Sequence, residues 1–207
     1  MMKKYFAALS ATALIGVAPY ALAVSSTDLT VTGTITPNAC TPTLSDGGVV
    51  DHKTISSKDL NQDKVTDLPD KTLQLLVNCE SAIAFRLNPI DNRMGSGTGG
   101  NLFGLGFING NQKLGSVDVR IMSPLADGVA VQPLESQNNG DTWYKSSYLA
   151  PNALTAFAST GGPNTPIAIK DLVTDLRIYT QIARADSLDL SNDVALDGSI
   201  TLEVLYP

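Results

Sequence analysis

Leu29-Thr30-Val31-Thr32-Gly33-Thr34-Ile35-Thr36 alternates aliphatic residues and glycine with threonine, a few residues before the first cysteine of the chain, Cys40. Successive side chains of a β-strand point to opposite sides, so one face of such a strand is aliphatic and the other is threonine. Leu29, Val31 and Ile35 supply the aliphatic face, and Gly33 interrupts it. Taken alone, the pattern suits an ordinary first strand of a self-contained sandwich; the location directly after a secretory signal favours instead a strand that inserts into an apolar groove.

A secretory signal precedes this segment. Lys3 and Lys4 form a basic n-region, residues 5–17 form a short and mostly apolar h-region, and Ala21-Leu22-Ala23 is a small-x-small cleavage site. The apolar run is too short to span a bilayer. We therefore expect residues 1–23 to be removed and the mature chain to be exported and soluble.

The composition predicts one globular domain with an acidic surface. Hydrophobic residues make up 43% of the chain, and the formal net charge is −6, which becomes more negative once Lys3 and Lys4 are removed. An acidic surface repels phosphate groups. We expect neither nucleic acid nor an anionic membrane surface as a partner.

Two cysteines, Cys40 and Cys79, are present in the chain. In an oxidising compartment, a single pair most simply forms a disulfide. The alternatives are a metal-binding pair and a reactive thiol. A metal site would need further ligands, and His52 is the single histidine.

Period-two alternation recurs along the rest of the chain, in residues 73–79, 83–87, 117–121, 176–182 and 200–206. Clusters of glycine, proline, asparagine and aspartate separate these runs. This arrangement is typical of a β-sandwich or barrel. Lys58 to Gln62 and Pro151 to Phe157 are the two places where we expect a helical turn.

Taken together, these pieces resemble a subunit (pilin) of bacterial chaperone–usher fimbriae, in a pilin-like subgroup. Residues 29–35 followed by Cys40 are similar to the pilin N-terminal extension, including its glycine. Residues 68–79 are similar to the segment that leads to the second pilin cysteine, and Gly198 with residues 200–206 is similar to the C-terminal strand with its penultimate tyrosine. Further similar stretches are residues 103–106, 126–128 and 140–143.

The resemblance implies an all-β fold, an incomplete immunoglobulin-like sandwich that a donor strand from a neighbouring subunit completes. It implies a signal peptide at 1–23, a donor-strand extension at 24–38 and a pilin domain at 39–207. Leu29, Val31, Gly33 and Ile35 would form the donor strand. The groove edge, which a chaperone would pair with, would consist of Ile200, Leu202, Val204 and Tyr206.

The resemblance also implies the partners and the location. A periplasmic chaperone would fill the groove first, and the extension of the next subunit would replace it at an outer-membrane usher. The result would be a head-to-tail polymer at the cell surface with a role in adhesion, and a host or surface receptor as a further partner. Extra length relative to a shaft subunit lies in Met94–Gly115 and Asp127–Thr165, which leaves shaft and adaptor roles both open.

Two further motifs each suit more than one role. Gly97-Thr98-Gly99-Gly100 lacks the lysine and the helix of a phosphate-binding loop, so we expect a flexible surface loop. Trp143 and Tyr144, near Asn138 and Asp141, would suit a sugar-binding platform, but we expect the tryptophan to pack in the core.

An enzyme is not expected, and neither is a cofactor or a metal. A Ser-His-Asp site would need His52, which lies in a polar stretch, and the Gly-x-Ser-x-Gly motif is absent from the sequence. The alternative function is a self-contained secreted β-sandwich that binds carbohydrate. Such a domain would be monomeric and stable alone, whereas an incomplete pilin would aggregate, polymerise or need a chaperone.

Overall fold

The computed structural model describes residues 39–206, which lie in the compact unit Thr36–Pro207. Fourteen β-strands account for the regular structure of this part of the chain. They are β1 (Cys40–Leu44), β2 (Thr66–Asp67), β3 (Lys71–Ile83), β4 (Arg86–Asp91), β5 (Phe103–Gly104), β6 (Phe107–Ile108), β7 (Gln112–Lys113), β8 (Gly115–Ala126), β9 (Val129–Ser136), β10 (Tyr144–Lys145), β11 (Tyr148–Leu149), β12 (Leu154–Ser159), β13 (Ile169–Ile182) and β14 (Ile200–Leu205).

Helical structure in the described residues is limited to three short 3₁₀ segments, Ser45–Gly48, Ser57–Asp59 and Ala185–Ser187. The second overlaps the helical turn expected at Lys58 to Gln62. The turn expected at Pro151 to Phe157 is wrong, because Pro151 and Asn152 form a turn with Asn152 at φ 63° and β12 begins at Leu154. The apolar run that follows that turn is buried as a strand.

The main strands pair antiparallel into one nearly closed sheet in the order β1-β3-β13-β8-β9-β12-β4-β14. This is an all-β fold of the sandwich or barrel type. The hairpin between β8 and β9 connects β1-β3-β13-β8 to β9-β12-β4-β14. Its turn residues, Asp127 and Gly128, have φ angles of 50° and 80°, which suit a tight two-residue turn. The two ends of the path, β1 and β14, do not pair with each other within residues 39–206.

Alternating burial explains why these segments are strands. In β3, Leu73, Leu75, Val77 and Cys79 are buried while the residues between them are exposed. β13 buries every second residue from Leu172 to Ile182. The strands predicted within β3, β8, β13 and β14 are confirmed, and their apolar faces meet in a single core.

The two long segments contribute strands to the fold. Residues 94–115 contain β5, β6 and β7 and add Phe103 and Leu105 to the core. Residues 127–165 contain four further strands, β9 to β12. The extra length therefore extends the sheet and its core.

Candidate functional site: an apolar groove between the first and last strands

The candidate site is a groove with a volume of about 740 Å³. One side is formed by the segment that follows β1, and the other side by β14 and the segment that precedes it. Its floor is the core itself, because buried side chains of β3, β8 and β13 open directly into it. Its walls carry aliphatic side chains from irregular segments on either side. The apolar lining residues are Leu44, Val50, Ile55, Leu60, Leu73, Phe103, Leu105, Leu114, Val117, Val119, Leu149, Leu176, Ile178, Ile182, Leu190, Val194, Leu196, Ile200 and Leu202.

One edge of the groove is β14. This strand pairs with β4 along its whole length, from Ile200 opposite Asp91 to Leu205 opposite Arg86. Within residues 39–206 its other edge pairs with no strand, so its outer N–H and C=O groups are placed to receive a further strand. Ile200 and Leu202 are half-buried, whereas Thr201 and Glu203 are exposed.

The opposite edge is β1, which a disulfide fixes to β3. Cys40 and Cys79 face each other across the ladder, with their Cα atoms 3.9 Å apart, and their sulfurs are bonded. The described part of the chain has no free cysteine. The pairing predicted from the two cysteines is thus present, and it holds the edge strand β1 in place.

A hydrogen bond joins the two edges at one end. The backbone N–H of Cys40 donates to the phenolic oxygen of Tyr206 at 2.8 Å. Of the four residues predicted as the groove edge, Ile200 and Leu202 line the groove, whereas Val204 packs on the core beyond it and Tyr206 makes this bond. The groove therefore lies along the first half of β14.

Ion pairing positions the wall that precedes β14. The guanidinium of Arg93, just after β4, donates from Nη2 to Asp197 Oδ1 at 2.7 Å and from Nε to Asp197 Oδ2 at 2.9 Å. These bonds lower the pKa of the Asp197 carboxyl. The N–H of Asp197 also donates to the carbonyl of Leu105 at 3.2 Å. Residues 197–199 are therefore anchored beside the groove.

His52 lies in the opposite wall. Its Nε2 is 2.9 Å from the hydroxyl of Thr180, a buried residue of β13. Burial lowers the pKa of the imidazole, and the nearby cation Lys71 adds to this effect. The neutral ring is therefore the form that packs against the sheet.

The donor-strand residues Leu29, Val31, Gly33 and Ile35, and the signal peptide at 1–23, lie outside the described residues. Their roles stay predictions. Pro207, the last residue assigned to the pilin domain, also lies outside them.

Trp143 and Tyr144 both lie outside the core. Trp143 is half-buried and lies outside the core cluster, so the expectation of core packing is wrong. The strand β10 that follows carries Tyr144 alongside Glu135 of β9, and the Tyr144 hydroxyl donates to that carboxylate at 2.5 Å. Burial and this bond raise the pKa of Tyr144 to about 12. The hydroxyl is thus engaged within the fold.

The glycine-rich loop at 97–100 is held by the side chain of Ser116. Its hydroxyl oxygen accepts the N–H of Thr98 at 2.7 Å and that of Gly99 at 3.2 Å. Ser116 is itself fully buried at the start of β8. The loop lies at the surface, as predicted, and its hydrogen bonds to Ser116 connect it to the core.

Between Ala39 and Tyr206, no group of three or more His, Cys, Asp or Glu side chains is arranged to hold a metal ion. In the same range, no helix has the length and apolar character to span a membrane.

Sequence reasoning missed the walls of the groove. Val50, Ile55 and Leu60 on one side, and Leu190 and Val194 on the other, lie in segments outside the strands. Alternation there is limited to single steps, from Leu188 to Leu190 and from Val194 to Leu196, which is too short a run to predict a strand. The available signal was their recurrence every four or five residues in segments that are otherwise loop-like.

With this geometry established, comparison with known proteins shows similarity over nearly the whole chain. A family of proteins of unknown function, DUF1120, matches residues 29–102. Protein GltF of Escherichia coli (strain K12) is 27% identical over 232 aligned residues, which cover 90% of this chain and 91% of GltF. The uncharacterized protein YhcF of the same organism is 26% identical over 230 residues, which cover 92% of this chain and 96% of YhcF. The family match spans the alternating segment at 29–35 together with β1 to β4.

Proposed function

We propose that this chain is a structural or adaptor subunit of a cell-surface fimbria, assembled by donor-strand exchange through a periplasmic chaperone and an outer-membrane usher. The observation that carries the proposal is the apolar groove bordered by β14, whose outer edge pairs with no strand of residues 39–206. Exposed apolar grooves beside open strand edges recruit other chains. The occupant proposed here is the segment 24–38 of a neighbouring subunit.

The chemistry of that segment suits the groove. Seven extended residues, 29–35, span about 20 Å at about 3.4 Å per residue, so the segment is long enough to pair with the six-residue strand β14 and to extend past the half of it that lines the groove. Their aliphatic face matches a lining of leucine, isoleucine and valine. Complete burial of Leu29, Val31 and Ile35 would contribute roughly 5–9 kcal/mol, at roughly 1.5–3 kcal/mol for each side chain.

The location of the segment favours exchange between subunits. It immediately precedes β1, which forms the far border of the groove and is fixed to β3 by the disulfide. Each subunit would insert its segment into the groove of the next subunit, and its own groove would receive the segment of a third. Such a contact does not close into a symmetric pair. It propagates head to tail.

The test compares the mature chain (residues 24–207) with a chain that begins at Ala39. Both are purified with their disulfide and analysed by size exclusion and electron microscopy. The proposal predicts ordered linear polymers of the mature chain and none of the shortened chain. A monomeric, fully stable mature chain would contradict the proposal and support a self-contained carbohydrate-binding sandwich.

A further inference from the structure

Three exposed apolar side chains lie around one end of the groove. Met94 is 65% exposed, Phe107 is 50% exposed and Leu196 is 36% exposed. Leu196 also lines the groove, so this surface, which we call the rim patch, is continuous with it. Exposed apolar surface beside a cleft is typical of a protein–protein contact, and such contacts are enriched in phenylalanine and methionine.

Asp197 brings the three members of the rim patch together. Its carboxylate pairs with the Arg93 guanidinium at 2.7 Å, and its backbone N–H donates to the carbonyl of Leu105 at 3.2 Å. Gly106 is so near that a Cβ atom on it would lie 3.5 Å from the Cβ of Asp197. Each member of the rim patch is the next residue to Arg93, Gly106 or Asp197. Three separate segments of the chain therefore present apolar side chains around one junction.

The direction of β14 decides which part of a neighbouring subunit would meet the rim patch. β14 begins at Ile200, three residues after Asp197, and the chain then reaches Tyr206, which is bonded to Cys40 at the other end of the domain. The main strands of the sheet pair antiparallel. A donor segment added antiparallel to β14 would run toward Ile200 and leave the groove at the rim patch.

The connection between the donor segment and its own domain is short. Cys40, the first residue of β1, follows Ile35 by five positions, which span at most about 17 Å when fully extended. Pro37 restricts its own backbone and that of Thr36 to extended conformations. The domain that donates the segment would therefore begin close to the rim patch of the subunit that accepts it.

The Cys40 end of the domain also exposes an apolar side chain. Asn78, next to the disulfide, lies opposite Asp171 of β13. The carbonyl of Asp171 accepts the N–H of Asp127 in the β8–β9 hairpin at 2.8 Å, which places the hairpin at this end. Val129, the first residue of β9, is 67% exposed. Apolar side chains are thus exposed at both ends of the domain.

We propose that the rim patch docks the Cys40 end of a second copy of this chain, the copy whose segment 24–38 fills the groove. This inference rests on the proposed function and adds a second contact between successive subunits. The surfaces that meet belong to opposite ends of the domain, so the contact is heterologous and repeats from one subunit to the next. It fixes the angle between neighbouring domains, which the donor segment alone would leave to the connection at residues 36–39.

The test uses two mature chains, each limited to one part. The donor chain carries Leu202→Lys, which impairs its own groove, and Ile200→Lys replaces this variant if it fails to fold. The acceptor chain carries Leu29→Ser, Val31→Ser and Ile35→Ser, which remove the apolar face of its own segment. Titration calorimetry measures the affinity of the acceptor chain for the donor chain and, separately, for a synthetic 24–38 peptide. The donor chain should bind at least about tenfold more tightly than the peptide, because it adds the contact at the rim patch.

Substitutions in the rim patch of the acceptor chain separate the two contacts. Phe107→Ser with Met94→Ser should weaken binding of the donor chain about tenfold, because two apolar side chains lose their buried contacts. The same variant should bind the peptide as before. The control is Leu76→Ser, on an exposed leucine of β3 outside the groove lining, and it should change neither affinity.

The outcomes distinguish this inference from the proposed function. Equal affinities for the donor chain and the peptide would overturn the inference alone. An equal loss of both affinities in the rim-patch variant would do the same, and so would an equal loss of donor-chain affinity with Leu76→Ser. Failure of the peptide itself to bind would contradict the proposed function, and this inference with it.

Discussion

The backbone N–H of Cys40 bonds to the phenolic oxygen of Tyr206 at 2.8 Å, across 166 positions of the chain. This bond joins β1 to the residue that follows β14, at the disulfide. Ile200 and Leu202 line the groove, whereas Val204 and Tyr206 do not. The Cys40–Tyr206 contact therefore marks one end of the groove and keeps its two edges together there.

Loss of the Cys40–Tyr206 hydrogen bond should lower the stability of the domain even when the aromatic ring at position 206 is kept. Tyr206→Phe should lower the free energy of unfolding by about 0.5–1.5 kcal/mol, the net worth of a typical hydrogen bond. Urea unfolding followed by fluorescence measures the change. Tyr148→Phe, on an exposed ring, is the matched control and should be nearly neutral. Equal effects of the two substitutions would show that the Cys40–Tyr206 bond carries no stability.

The disulfide should stabilise the domain by restricting the unfolded chain. Cys40 and Cys79 are 39 positions apart, and a loop of this length corresponds to roughly 3–4 kcal/mol in the chain-entropy model. The double variant Cys40→Ser with Cys79→Ser should lose a stability of this order. It should also be cleaved by protease within β1, which would no longer be held to β3. Alkylation of both cysteines in the native exported protein would refute the pairing.

His52 should make stability depend on pH near neutrality. Its folded-state pKa lies below the ordinary value of 6.5, so the folded state binds a proton less readily than the unfolded state. The stability that the neutral His52 ring contributes is fully present above pH 6.5. It is lost as the pH falls from 6.5 through the folded-state pKa of His52. Thermal unfolding between pH 7.5 and 5 should show a falling Tm.

The matched variant for this prediction is His52→Gln, which keeps a polar partner near Thr180 and cannot titrate in this range. Its Tm should fall less steeply than that of the native chain over the same pH interval. Parallel Tm curves for the two proteins would exclude His52 as the origin of the dependence.

The alternation of β14 provides a paired test of the groove. Leu202 lines the groove and Thr201 is exposed on the other face. Leu202→Lys should weaken binding of a synthetic 24–38 peptide more than tenfold, because a charge would have to be buried among aliphatic side chains. Thr201→Lys should bind the peptide as the native chain does. Isothermal titration with chains that begin at Ala39 measures both, and indistinguishable affinities would place the peptide elsewhere.

The sequence predicted the strands with strict alternation and an apolar centre. Leu73 to Cys79 and Leu176 to Ile182 bury every second residue, so their pattern is visible without a structure. β12 was missed because Leu154, Thr155, Ala156, Phe157 and Ala158 are all buried. A strand buried on both faces has no period of two.

The sites were harder to predict than the strands. The pattern of β14 predicted a strand, and its resemblance to the C-terminal strand of a pilin placed it at a groove edge. The walls come from loops near Val50 and Val194, whose burial depends on tertiary packing. The contacts of Arg120 with the rings of Tyr148 and Tyr179 depend on register. Tyr179 lies opposite Asp118, and Tyr148 lies opposite Arg120, and a single sequence does not reveal which residues face each other across strands.

Gly33 offers a test of register within the donor segment. Leu29, Val31 and Ile35 supply apolar side chains, and a glycine in a strand commonly marks a close backbone approach. A 24–38 peptide with Gly33→Leu should bind the groove more weakly, because overpacking costs about 1–3 kcal/mol, and a one-residue slip would turn the threonine face inward. Thr32→Leu, on the opposite face, is the control and should bind nearly as the native peptide does.

Amide hydrogen exchange shows whether the outer edge of β14 receives the segment 24–38. The chain that begins at Ala39 would be measured with and without a saturating 24–38 peptide, residue by residue. Amides of Ile200–Leu205 directed away from β4 should exchange rapidly in the chain alone and become strongly protected with the peptide. Unchanged exchange in β14, with the peptide bound or not, would contradict binding of the segment at this edge.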